Sequence, residues 1–149
     1  MDFLSHLFLA IILSMVWKKR LRWDIVVSGV IIDIDFLFDF ILLFPRYGWG
    51  VFTAVLFGDV IVHGTFTHSL IMLPVYAYIL MKLWGSSEYK YFLAGMGLHL
   101  VVDALSYGNM LLWPLVPEYI NLNIIPAHSI LYPIITGVLA LYLYKTRRA

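Results

Sequence analysis

The sequence predicts an all-α polytopic membrane helix bundle, with about five spanning helices and one short re-entrant or interfacial helix. Three observations carry this expectation. Of 149 residues, 62% are hydrophobic and only 13% charged, whereas soluble domains run at about 45–50% and 25%. The apolar residues gather into long runs rather than alternating with polar ones, which is the pattern of helices in lipid. Finally, nearly all Lys and Arg lie at the ends of those runs, where a membrane protein keeps them.

The first run, Phe3 to Trp17, precedes the cluster Lys18, Lys19, Arg20 and Arg22. A cleaved signal peptide has its charge before the run, so this one is expected to stay as an anchor with its start outside. Ile25 to Phe44 has the length of a full span. Trp49 to Val62 is too short and is interrupted by Gly58 and Asp59, so it is expected to re-enter or to lie in the interface. Ser69 to Trp84, Tyr91 to Tyr107 and Ala127 to Tyr144 supply the remaining spans.

Basic residues test that assignment. If the Trp49 run does not cross, Lys18, Lys19, Arg20, Arg22, Lys82, Lys90, Lys145, Arg147 and Arg148 share one side and Arg46 alone takes the other. If it crosses, the asymmetry vanishes. The expected topology is therefore multi-pass in the cell membrane, amino terminus outside and carboxyl terminus cytoplasmic. Trp17, Trp23, Trp49, Trp84 and Trp113 fall near run ends as an interfacial belt, and Gly95 and Gly97 are expected to allow close helix packing.

Other classes are excluded. No linker, repeat or low-complexity stretch divides residues 1–149, so one domain is expected. A net charge of +1 offers no basic face for nucleic acid. With no cysteine there is neither disulfide nor thiolate ligand, and any metal must be held by His, Asp or Glu. The chain has no Gly-x-Ser-x-Gly elbow and no phosphate-binding Gly-Lys-Ser/Thr loop.

Charge inside the runs is costly, about 2.5–3.5 kcal/mol for an Asp at a helix centre, and marks function. Asp33, Asp35 and Asp39 lie in the second run, and His99 and Asp103 in the run from Tyr91. His99 and Asp103 stand four apart, which puts them one turn apart on one helix face. Asp35 and Asp39, and Asp59 and His63, repeat that interval, whereas Asp33 and Asp35 share a site only where the helix is distorted. Counted at about 1.5 Å per residue, His6, Asp33, Asp35, His99 and Asp103 converge near one depth, with His68 slightly beyond. No Lys or Arg lies in the same runs at that depth to neutralise the carboxylates, so a bound cation is expected to do so. His128, beside Ser129 near a run end, is expected only to pack.

In this order the residues resemble the YdjM-like inner-membrane proteins described as metal-dependent hydrolases. Ser5-His6 stands where that family has a Thr-His pair near its initiating Met. Ile32-Asp33-Ile34-Asp35 matches its Pro-Asp-x-Asp block, and His63 through Ser69 its His-x-x-x-Thr-His-Ser block. His99 through Asp103, followed by Gly108 and Trp113-Pro114, matches the last. Two departures stand out: Ile32 replaces the Pro, and Gly64 replaces an Arg. A looser likeness to zinc-dependent phospholipases C suggests phosphoester chemistry.

The expected function is thus a membrane-embedded hydrolase with one to three divalent ions, zinc foremost, held by His6, Asp33, Asp35, His63, His68, His99 and Asp103. Seven ligands exceed one tetrahedral shell, which implies two metals or a spare carboxylate as base. Asp33, Asp35 and His68 are the candidates for the catalytic step, while Thr67 and Ser69 would orient ligands. The expected partners are membrane lipids and a lipid-linked or phosphoester substrate. The rival expectation is a non-enzymatic membrane protein that binds or carries a cation.

Overall fold

A computed structural model describes residues 3–34, 41, 44–50, 67–106 and 131–148, with single positions and short pieces between 111 and 124. Its regular structure is helical. Helix α1 runs Phe3–Lys18 and α2 runs Trp23–Ile31, continuing into a 3₁₀ turn at Ile32–Ile34. Helices α3, α4 and α5 cover Leu73–Leu83, Tyr89–Ser106 and Leu131–Arg148.

Each boundary has a local cause. α1 stops where Lys19 enters the left-handed region at φ 55°. The buried Ser14 hydroxyl then ties the reversed chain, donating to the Arg20 carbonyl at 2.9 Å and accepting from the Arg22 N–H at 2.6 Å. In the first turn of α2, Asp24 accepts from the Ile25 N–H at 3.1 Å, and a carboxylate at a helix start also complements the dipole. α3 has Pro in its first turn, a position where the missing N–H costs nothing. Ahead of it, the Ser69 hydroxyl accepts from the N–H groups of Ile71 and Met72.

Helix α4 is the hub. It packs on α2 and α3, while α1 lies against α2 and α5. Ile32, Leu73, Ala77, Met81, Phe92, Met96 and Leu100 form the apolar core between α2, α3 and α4. On α5, by contrast, Ile134, Ile135, Val138, Leu141 and Tyr142 face outward.

The five-span bundle is not what the structure has: among the described residues, no helix is long and apolar enough to cross a membrane. α1, α2 and α3 have 16, 9 and 11 residues. At about 1.5 Å per residue they reach roughly 24, 14 and 16 Å, against a hydrocarbon core of about 30 Å. α4 and α5 reach 18 residues each, but α4 carries Lys90, His99 and Asp103 and α5 ends in Lys145, Arg147 and Arg148. Within the second run the described structure is the regular helix to Ile31 and a 3₁₀ turn at Ile32–Ile34, and residues 35–40 lie outside the described ones. The all-helical class stands, while the spans and the orientation of the termini drawn from them do not. The proposed re-entrant run from Trp49 lies outside the described residues beyond Gly50.

Candidate metal centre

Four segments bring their polar side chains to one point. α4 contributes His99 and Asp103 from the same face, one turn apart. Asp33 comes from the 3₁₀ turn after α2, where tightening of the helix re-aims the side chain. His68 comes from the turn ahead of α3, a segment anchored by the Leu70 N–H donating to the Leu111 carbonyl at 2.8 Å. His6 arrives from the first turns of α1 and stacks on His99, centroids 3.8 Å apart and planes inclined by 19°.

One ligand atom each from Asp33, His68, His99 and Asp103 lies within 4.8 Å of all the others. The separations are tighter than that bound. His99 Nε2 is 3.3 Å from His68 Nε2, 3.3 Å from Asp33 Oδ1 and 3.1 Å from Asp103 Oδ2. His68 Nε2 is 3.6 Å from Asp33 Oδ1 and 3.4 Å from Asp103 Oδ2. A tetrahedral zinc shell with bonds of about 2.0–2.1 Å has ligand-to-ligand edges of about 3.3–3.4 Å. These separations therefore fit five of the six edges of such a shell.

Hydrogen bonding decides which atoms face the centre. His99 Nδ1 lies 2.7 Å from the Gly29 carbonyl, an acceptor, so that nitrogen carries a proton and Nε2 is the ring atom turned toward the cluster. The Thr67 hydroxyl pairs with His68 Nδ1 at 2.9 Å, which turns His68 Nε2 toward the same point. Two carboxylate oxygens and His99 Nε2 thus meet the His68 nitrogen, and one cation between them would serve all four groups. Ring nitrogens anchored from behind in this way are the usual arrangement of metal-binding histidines. Two imidazoles and two carboxylates are a donor set that could hold a metal ion.

Asp103 serves two neighbours. While Oδ2 faces the cluster, Oδ1 is 2.9 Å from His6 Nε2, close in distance but not aligned as a hydrogen bond, so this buried nitrogen has no hydrogen-bond partner. Burial is uneven: the side chains of His99, His68 and Asp103 are 0%, 2% and 8% exposed, and Asp33 is 26% exposed. The cluster opens on the Asp33 side.

Of the expected ligands, the structure assembles His6, Asp33, His68, His99 and Asp103, while Asp35 and His63 lie outside the described residues, as do Asp39, Asp59 and His128. Gly29 was not anticipated. Its contribution is a backbone carbonyl, which leaves no trace in residue type.

A family model described as the YdjM inner membrane protein matches residues 1–149. The chain belongs to the YdjM inner membrane protein family. That membership agrees with a location at the cell membrane, and all five YdjM-family helices described above, with the cluster between them, fall inside the match. Neither the comparison with curated proteins nor that with solved structures gives a match. The looser likeness to zinc-dependent phospholipases C accordingly finds no support.

Proposed function

We propose that this YdjM-family protein is a metal-dependent hydrolase, with His68, His99 and Asp103 holding a divalent ion and Asp33 taking the proton from the attacking water. The reading rests on one observation, the His99 and His68 Nε2 atoms 3.3 Å apart, with the His99 ring anchored from behind by Gly29. Bound there, a divalent ion supplies water acidified to near-neutral pKa and polarises the oxygen under attack.

The remaining chemistry falls to side chains. Asp33 is the one member of the four that is not buried, and with it acting on water the three buried ligands would hold the ion while the fourth position takes that water, as in catalytic rather than structural zinc sites. Asp33 borders the exposed side, 26% accessible and 3.3 Å from His99 Nε2, which is the position from which a carboxylate would reach a water entering the cluster. His6 Nε2 lies 2.9 Å from the second oxygen of Asp103, and the ring supports His99 by stacking. A phosphoester or lipid-linked ester is the substrate class that an inner-membrane hydrolase of this kind would take.

Metal analysis of the purified chain, followed by phosphodiester and phospholipid hydrolysis with and without chelator, tests this proposal. Stoichiometric metal with chelator-sensitive turnover supports it, and Asp33→Asn should keep the metal while losing turnover. Metal that washes out at micromolar chelator, with no turnover of any ester, would instead favour a cation carrier.

A further inference from the structure

A second site lies at the opposite end of α1. A cavity of about 320 Å³ opens where α1 ends, and its walls include Met15, Lys19, Arg20, Trp23, Tyr144 and Arg147. Lys19 is 13 positions beyond His6, so at about 1.5 Å per residue the cavity sits roughly 20 Å along α1 from the metal centre. Nothing in the hydrolase reading uses it.

Charge at this cavity is unbalanced. Among the described residues, Lys19, Arg20 and Arg147 have no carboxylate within 4.0 Å. The nearby acids are committed elsewhere: Asp24 forms a two-pronged pair with Arg22, and Glu88 lies 3.5 Å from Lys90. Arg22 and Lys90 also sit over the Tyr91 ring, which keeps them away from the opening.

The backbone here is held in place at a cost. A non-glycine residue in the left-handed region is disfavoured by contact of its Cβ with the backbone, and Lys19 adopts it at φ 55°. Ser14, with no exposure, fixes the turn through bonds to both Arg20 and Arg22. Three like charges converge on a pocket that also carries two aromatic rings. Arg and Lys bind phosphate oxygens, and Trp and Tyr favour the head-group level of a bilayer.

We propose that this cavity binds a phosphate-bearing anion, and that its source is the head group of an anionic phospholipid. Arg147 and Arg20 would grip the phosphate oxygens and Lys19 would add a point charge. The apolar wall at Met15 and the exposed Trp23 ring, 59% accessible, suit a lipid better than a free ion. So do the outward Ile134, Val138 and Leu141 along the helix that supplies Tyr144 and Arg147.

The full chain in neutral detergent is titrated with short-chain phosphatidylglycerol, short-chain phosphatidylcholine and inorganic phosphate, beside the variant Lys19→Gln/Arg20→Gln/Arg147→Gln. Phosphatidylglycerol should bind more tightly than phosphatidylcholine, and the triple variant should weaken it about 100-fold, each cation near an anionic head group accounting for about fivefold. Metal content, set some 20 Å away, should not change. If the triple variant fails to fold, Arg147→Gln on the exposed last turn of α5 should still weaken binding about fivefold. Inorganic phosphate binding as tightly as the lipid would assign the site to a soluble phosphate and overturn the lipid source. Equal affinity for both lipids, or no loss in the variants, would overturn the site itself.

Discussion

Replacing Gly95 by Ala is expected to damage the candidate metal centre without touching any of its proposed ligands. Gly95 sits in α4 where α2 crosses it. A Cβ there would lie 2.9 Å from the Gly29 N, with Ser28 Oγ and Ile25 O closer still, where ordinary contact begins at 3.4 Å. The first of these alone requires the helices to part by at least the 0.5 Å between those two values. Two of the three obstructing atoms are backbone, so no side-chain rotation relieves the clash. Overpacking of this kind costs about 1–3 kcal/mol.

The effect reaches the site because His99 lies one turn after Gly95 on the same face of α4. The close approach that the glycine allows is what lets His99 Nδ1 come within 2.7 Å of the Gly29 carbonyl. Parting the helices stretches that bond, and loss of such a partner typically costs 10–100-fold in metal affinity. Gly97 is the matched control, since a Cβ there meets nothing within 4 Å and Ala is the better helix former by about 0.8–1.0 kcal/mol. Thermal unfolding of both variants without metal, then zinc titration, provides the assay. Gly95→Ala should melt roughly 2–12 °C lower and bind zinc at least about tenfold more weakly; Gly97→Ala should do neither. Indistinguishable behaviour of the two would refute the link between helix spacing and the site.

Other outcomes follow from the same geometry. His99→Ala or Asp103→Ala should abolish stoichiometric metal by elemental analysis, the loss exceeding the 10–100-fold expected of a supporting residue. Thr67→Val should weaken zinc by about tenfold while leaving the stoichiometry intact, as read by competition with a chromogenic chelator. With free zinc at about 1,000 times its Kd, binding should stabilise the fold by about 4 kcal/mol, and excess chelator should remove that increment in a melting experiment. Ser14→Ala strands the Arg20 carbonyl and Arg22 N–H inside the α1–α2 turn and should cost about 1–3 kcal/mol in denaturant unfolding.

How much of this was legible in the sequence differs between the helices and the site. The run from Tyr91 gave α4 nearly to its ends, because a long apolar stretch bounded by Glu88 and the Ser106-Tyr107 pair has few alternatives to a helix. The four-residue interval of His99 and Asp103 gave their shared face directly. Asp33 and Asp35 as joint ligands require a distorted helix at that point, but residue type did not give its form, a 3₁₀ turn, because Ile-Asp-Ile-Asp sits inside an apolar run. That local tightening follows directly on α2 and carries Asp33, which lies 3.3 Å from His99 Nε2.

The span count failed for a related reason. Hydropathy reports that side chains avoid water, but not what covers them. Phe92, Leu100, Ile25 and Met15 are almost wholly covered by the chain itself, so part of the apolar composition builds an internal core and does not measure lipid thickness. The polar cluster depends on that arrangement. Burying carboxylates costs several kcal/mol apiece unless they are paired, and at this centre the compensation is local: Asp103 gives Oδ2 to His68 and His99 and turns Oδ1 to His6. The crossing of α2 and α4 at Gly29 and Gly95 holds His99 in place beside the shared carboxylate. Of the three polar residues that keep α4 from reading as a span, Lys90, His99 and Asp103, two are members of the cluster itself, so two of the residues that argue against a span also build the site.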